Sequence, residues 1–231
     1  MRLAVAALCV VSVFSVAPAR AACGESLRLS VMPASRIDDV AATLRRRLAA
    51  AGEKAPSVVR DGAAGLAVVL PEGVSDTLLT RPASIEFRLV AKSADEPGLV
   101  TMPRLDGEGT EQVEPQIILD EERLRQLRVK QEPNPAGGGP IVAIAFHIET
   151  LGVNNLLTAT TQAVGRKLAI LVDGHIVAEP VLRGPVASMT GEISGGLTQA
   201  SADELVALIA NGRLRGQVSL LARQPAPCLT H

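Results

Sequence analysis

Val164 to Leu182 reads VGRKLAILVDGHIVAEPVL. Two apolar runs flank the dipeptide Asp173-Gly174, which predicts a strand, a two-residue turn and a second strand. Asp-Gly is decisive because a type I′ turn needs φ > 0 at both central residues, a conformation few residue pairs tolerate. Working outward, Ile141 to His147 predicts an apolar-rich strand and Gly152 to Ala163 a helix carrying several Thr and Asn. Downstream lie Gly191-Glu192-Ile193-Ser194-Gly195, then a helix from Ser201 to Ala210, then Asn211-Gly212. Ser201 with Glu204 three residues on has the form of a capping box. Gly216 to Arg223 predicts the final strand.

The first half has its own order. Leu27 to Met32 alternates as a short strand, and Ser35 is placed to cap a helix. That helix carries Ile37, Val40, Ala41, Leu44, Leu48 and Ala51 at helical spacing, with Arg45 to Arg47 assigned mainly to its solvated face. Gly52 suits the position just past its end. Pro56 to Arg60 and Leu66 to Leu70 predict two strands joined across a glycine-containing turn. A poor helical turn at Ser75 to Thr80 leads into Ser84 to Val90, where Ile85, Phe87 and Leu89 alternate. The order β-α-β-β-α-β is ferredoxin-like. From Ala91 to Val113 the composition turns to Pro, Gly, Asp and Glu, the mark of an exposed connection. Ile117 to Leu119 reads as a strand, Asp120 as the cap of a short helix reaching Leu127, and PNPAGGGP at Pro133 to Pro140 as a flexible tether.

The string VGR-x-LAI-x-x-DG-x-x-x-x-x-P at Val164 to Pro180 resembles SecD, a membrane subunit of bacterial protein export, in the head of its first periplasmic domain. Gly191 to Gly195, the helix and Asn211-Gly212 resemble the family's "GQITG … helix … GAL" ending, and Ile85 to Val90 resembles the "LEFRLV" that closes the family's base. The resemblance implies an α+β fold: a ferredoxin-like base at 24–92, a SecD-like head and final strand at 100–223, and a tail at 224–231. Departures exist. Glu179 stands where the family commonly has Ala, and Leu197 where it has Phe. The Asp-Leu-x-Gly-Gly signature that usually precedes the base is absent, as are the membrane helices with their proton-coupling acidic residue. The expectation is therefore a module that is not itself a proton-driven translocase.

Residues 1–22 have the form of a signal peptide. Arg2 gives a basic start, Leu3 to Val16 an apolar stretch, and Ala19-Arg20-Ala21 a small-residue cleavage region. The apolar run is short for a membrane span of ~20 residues. An uncleaved anchor and lipidation at Cys23 are the alternatives, the second weakened by Arg20 in the first position of the lipidation box. Cleavage removes Cys9 and leaves Cys23 and Cys228, an even pair in an oxidising compartment. Neither has a His or carboxylate cluster nearby, so a disulfide between the two ends of the mature chain is expected rather than a metal site or reactive thiol. The resemblance adds that both ends of the family's domain point toward the membrane.

Composition narrows the partners. Without Arg2 and Arg20 the chain's 23 basic residues become 21 against 24 acidic, a net charge of −3. A nucleic-acid partner needs a basic footprint and stacking platforms, yet there is no Trp or Tyr, and only Phe87 and Phe146 remain after cleavage. No phosphate loop, dinucleotide fingerprint, zinc-protease helix or Gly-x-Ser-x-Gly elbow occurs. His147 and His175 lack a ligand at short spacing. Asp173 has a sufficient role in the turn, and Glu121 and Glu122 read as a solvated helix face. No catalytic residue, metal or cofactor is expected.

The expected function is that of a non-catalytic periplasmic module that binds exported polypeptides or the export machinery, with no integral membrane segment after cleavage. The other classes are a small periplasmic ligand-binding protein or enzyme using a cleft between base and head, and a structural envelope module that reuses the fold.

Overall fold

The computed structural model describes residues 22–135, 137 and 139–227; of Ala22, Cys23 and Pro227 it describes the backbone. The elements are β1 (Ala22–Met32), α1 (Ile37–Ala50), β2 (Val58–Arg60), β3 (Gly65–Pro71), α2 (Thr77–Thr80), β4 (Ile85–Leu89), β5 (Val100–Pro103) and β6 (Thr110–Val113). There follow β7 (Leu119–Asp120), β8 (Leu124–Glu132), β9 (Ile141–Ile148), α3 (Thr150–Thr161), β10 (Leu168–Val172), β11 (His175–Ala178), β12 (Thr190–Ser194), α4 (Gln199–Ala210) and β13 (Gln217–Pro227).

One sheet has the order β13-β1-β3-β2, every pair antiparallel. Leu27, Leu29 and Val31 of β1 and Leu66, Val68 and Leu70 of β3 point to one face, as period-two alternation requires. There they meet Ile37, Val40, Leu44 and Leu48, the apolar stripe of α1, and Leu79 of α2. We call this unit the base. The remainder is the head. Its two main sheets run β11-β10-β4-β7 and β12-β9-β8. They share one core with α3 and α4, in which Phe87 and Phe146 meet edge to face with centroids 6.1 Å apart. All five residues of β10 are buried. Leu168, Ile170 and Val172 face that core, while Ala169 and Leu171 join Val90, Val113 and Ile176 on the other side. A strand covered on both faces loses the polar alternation of a half-exposed one. Among the described residues no helix is long and apolar enough to cross a membrane.

Several expectations are corrected. Ile85–Leu89 does not close the base: it pairs with β10 and β7 inside the head, and the base takes its outer strand from Gln217–Pro227. The base is thus built from the two ends of the chain, the head is inserted between them, and 224–227 belongs to a strand rather than a tail. The register explains the exchange, since Ile85, Phe87 and Leu89 lie opposite Val172, Ile170 and Leu168. The segment 91–113 contains the β5–β6 hairpin. Asp120 opens only a 3-10 turn at Glu121–Arg123, because β9 supplies the hydrogen bonds that make 124–132 a strand. Residues 133–140 connect the two strands of that β8–β9 hairpin. Arg36, not Ser35, stands at the N-cap of α1, without a side-chain cap bond. In α4 the capping box is Thr198 with Ser201, one turn earlier than Ser201 with Glu204.

In the central hairpin Asp173 has φ +49° and Gly174 φ +80°. A Cβ at Gly174 would meet nothing within 4 Å, so a substitution there is penalised by backbone conformation alone. Gly174→Val should lower stability by roughly 1–3 kcal/mol, the cost of holding a β-branched residue at positive φ. An unchanged urea midpoint would reject the turn assignment.

Candidate functional site at the base and head junction

Two segments join base and head: the outgoing 80–84 and the returning 211–216. Arg47 of α1 sits between them, 1% exposed. Its Nη1 donates to the carbonyls of Leu78 (3.0 Å) and Arg81 (2.7 Å). Its Nη2 donates to Pro82 O (3.2 Å) and Gly212 O (2.9 Å), and Nε also reaches Gly212 O at 3.2 Å. One guanidinium therefore holds both connections. The planar five-donor fork is suited to this, whereas an ammonium is a point charge. Burial pushes the Arg47 pKa down to about 10, so the group is charged at neutral pH.

A second arginine ties the outgoing segment to the head. Arg81 Nε donates to Asp173 Oδ2 (2.7 Å) and Nη1 to Glu204 Oε2 (2.9 Å). Asp173 Oδ1 accepts from Ser84 N (2.9 Å), and Asp173 N donates to Ser84 O (3.0 Å). The hairpin turn is thereby docked on the junction. On the return, Arg213 donates to Glu121 Oε1 (3.2 Å) and Glu86 Oε1 (3.4 Å), while Glu121 Oε2 accepts from Ile85 N (3.1 Å). Arg215 pairs with Glu122. Thus Arg47 and Glu121 are buried parts of the joint, not the solvated faces expected of them.

Clefts of about 700 Å³ and 610 Å³ flank the returning segment, and Glu122, Arg213 and Arg215 line both. Across the larger cleft from α1, β8 carries a bulge. The register passes from Arg125 opposite His147 to Arg128 opposite Ala145, and Gln126 sits at φ +52°. Such a bulge re-aims side chains, here Gln126 and Leu127, which line the cleft. The charged groups are engaged with one another or with backbone: Arg46 with Asn211 O and Thr43, Arg213 with Glu121, Arg215 with Glu122. This arrangement fixes geometry and offers no nucleophile with an adjacent base.

Burial raises the Glu121 carboxyl above the usual range, against the opposing pull of Arg213 and the Ile85 amide. The folded state then binds the proton more tightly than the unfolded one. Its contribution to stability is fullest below the unfolded carboxylate pKa and declines as pH rises through the folded value. Glu121→Gln should therefore gain on the parent protein as pH is raised from about 4.3, the unfolded carboxylate value, toward neutrality. A stability difference that stays constant across that range would contradict the assignment.

Of the residues singled out from sequence, Asp173 is at the junction and Gly174 lines the smaller cleft. His147 lies in β9 and His175 opens β11, in different sheets. Among the described residues no group of three or more His, Cys, Asp or Glu is placed to hold a metal ion. Cys23 lies in β1, and Cys228 falls outside the described residues. Sequence reasoning missed Arg47, Arg81 and Arg213. For Arg47 a signal existed: it stands seven residues after Val40 and three after Leu44, on the apolar stripe itself.

Comparisons with known proteins agree with this architecture. Residues 99–215, just over half of the chain, match the model of the SecDF P1 head subdomain. The protein translocase subunit SecD of Desulfurispirillum indicum is 30% identical over 207 residues, covering 78% of this chain and 38% of that protein. The SecD of Acetobacter pasteurianus is 24% identical over 205 residues, covering 78% and 36%. The chain thus spans two fifths or less of the length of these curated relatives. Among solved structures, SecDF in a super-membrane-facing form gives a TM-score of 0.65 at 19% identity, over 87% of this chain and 30% of that one. A structure described as a membrane component SecDF that enhances protein export gives 0.64 at 18% identity, over 85% of this chain and 98% of that one. At these identities the structural likeness speaks for the fold.

Proposed function

Because this chain belongs to the SecDF P1 head family, we propose that it is a periplasmic module of protein export that contacts exported polypeptides or the export machinery without catalysing a reaction. The observation that carries this reading is the family match over 99–215, and the fold likeness to SecDF is in keeping with it. The relatives are named protein translocase subunits. The sheet order β13-β1-β3-β2, with α1 and α2 in the crossovers, further supports a ferredoxin-like base, its fourth strand returned from beyond the head. The mutual engagement of the charges in the junction clefts favours a positioning role there over a small-ligand or catalytic one.

The test is site-specific photocrosslinking in intact cells, with the crosslinker placed at exposed head positions and an export substrate arrested in transit. The reading expects adducts with the translocating chain or with translocase subunits. Adducts with envelope structural proteins alone would overturn it.

A further inference from the structure

The hairpin β5–β6 stands apart from the sheet it lies on. It forms a two-stranded sheet of its own, and such a hairpin is marginal unless it packs against something. Its support is the outer face of the β11-β10-β4-β7 sheet. There Val113 of β6, with Val100 and Met102 of β5 packed beside it, covers Ala169 and Leu171 of β10 and Ile176 of β11. Within β5 and β6 Val113 alone is fully buried, whereas the three residues beneath are all buried. The face that is hidden is therefore more apolar than the hairpin that hides it.

The two ends of the hairpin are held differently. At the root, Val113 bridges to Val90, Ala91 N donates to Gln112 O (2.9 Å) and Glu114 N to Leu89 O (2.8 Å). Arg166 reinforces the root by donating to Val90 O and pairing with Glu114. At the tip, Leu105 N donates to Ile176 O at 2.9 Å, and Arg104 pairs with Glu179, the residue after β11. Arg104 also serves Glu111 of the hairpin itself at 3.0 Å, and Glu111 reaches Lys167 at 4.0 Å. Glu179 is the buried partner, its side chain 9% exposed, yet its Oε1 accepts no hydrogen bond. A buried acceptor without a partner is a cost of the clasped state, and hydration on release removes it. Few buried side chains, a ladder at one end and a penalised clasp at the other are the marks of a segment that opens locally, below the threshold of global unfolding.

We propose that β5–β6 is a strap that swings about its root when the Arg104–Glu179 clasp lets go, uncovering the apolar face of Ala169, Leu171 and Ile176 while the rest of the head stays folded. Met102 also lines the smaller junction cleft beside Glu86, Arg88 and Arg213, so release widens that cleft. The head thereby keeps an apolar surface covered until the clasp opens. Release requires no polypeptide partner and so does not depend on the reading above.

Hydrogen exchange read residue by residue tests it. In the parent protein, the amide of Leu105 and the ladder amides of β5 and β6 should exchange at least about tenfold faster than those of β4 and β10, after correction for intrinsic rates. Glu179→Ala and Arg104→Gln should each speed the strap amides by about a further tenfold and leave β4, β10 and β3 of the base unchanged. Arg104 is partly exposed, so its variant reports on the clasp even where Glu179→Ala fails to fold. Met102 gives an independent reading. It is half-buried, and its oxidation by peroxide should accelerate in both variants while the exposed Met32 and Met189 keep their rates. Exchange of the strap and β10 at one common rate, in parent and variants alike, overturns the strap. Acceleration that spreads equally to β4 and β10 assigns the ion pair to global stability and overturns it too. Fast strap exchange that neither variant changes overturns the clasp, and with it the proposal.

Discussion

Replacing Arg47 by Met is expected to lower the stability of the protein by about 3–5 kcal/mol, since it removes one shared donor from several buried carbonyls, each worth about 1–3 kcal/mol. Methionine fills much of the arginine stem's volume, so the loss is not a cavity effect. It comes from the carbonyls of Leu78, Arg81, Pro82 and Gly212, which lose the donor that unites them. Each buried acceptor left without a partner costs about 1–3 kcal/mol. Pro82 O keeps one bond, from Leu214 N at 3.0 Å, which limits the damage in the outgoing segment. Arg47→Lys should fall between the two, because it restores the charge but not the fork. Urea denaturation of the three proteins at neutral pH gives the answer. A loss below about 1 kcal/mol for Arg47→Met would show that the junction is held by apolar packing of Leu44, Leu48 and Leu79 instead.

The same arginine shows where sequence reading stops. The strands of the base, the α1 stripe and the Asp173-Gly174 hairpin are legible because period and turn chemistry are local. Membership of Ile85–Leu89 in one sheet or the other is not local. Its alternation suits any half-buried partner, and the choice of β10 over β1 is made by residues some eighty positions downstream. β13 is the mirror case: a strand at the far end of the chain completes a sheet begun at residue 22. Glu121 was hidden for another reason. Glu121-Glu122 after an aspartate resembles a helix start, but Ile85 N and Arg213 each need an acceptor, and one Glu121 carboxylate meets both. Asp173 was half legible. The turn is in its sequence, while its bonds to Arg81 and Ser84 depend on where the outgoing segment passes.

The oxidised mature protein is expected to carry an intramolecular disulfide between Cys23 and Cys228. The sequence holds the pair, and the fold brings the start of β1 beside the end of β13. β1 and β13 are antiparallel neighbours, with Ala22 opposite Pro227, so the start of the first strand meets the end of the last. Cys228 follows Pro227 directly and lies outside the described residues. The bond requires the two Cα atoms to come within about 7 Å of each other. Bridging so long a loop stabilises by at most ~5 kcal/mol on chain-entropy grounds, less the cost of ordering the last residues. Reduction, or Cys228→Ser, should therefore lower the urea midpoint without shifting the spectroscopic signature of the head. Mass spectrometry of the non-reduced protein decides the matter. Two free thiols, or dimers linked through Cys228, would refute the bond, and the first and last strands of the base would then be held together by the β1–β13 ladder alone.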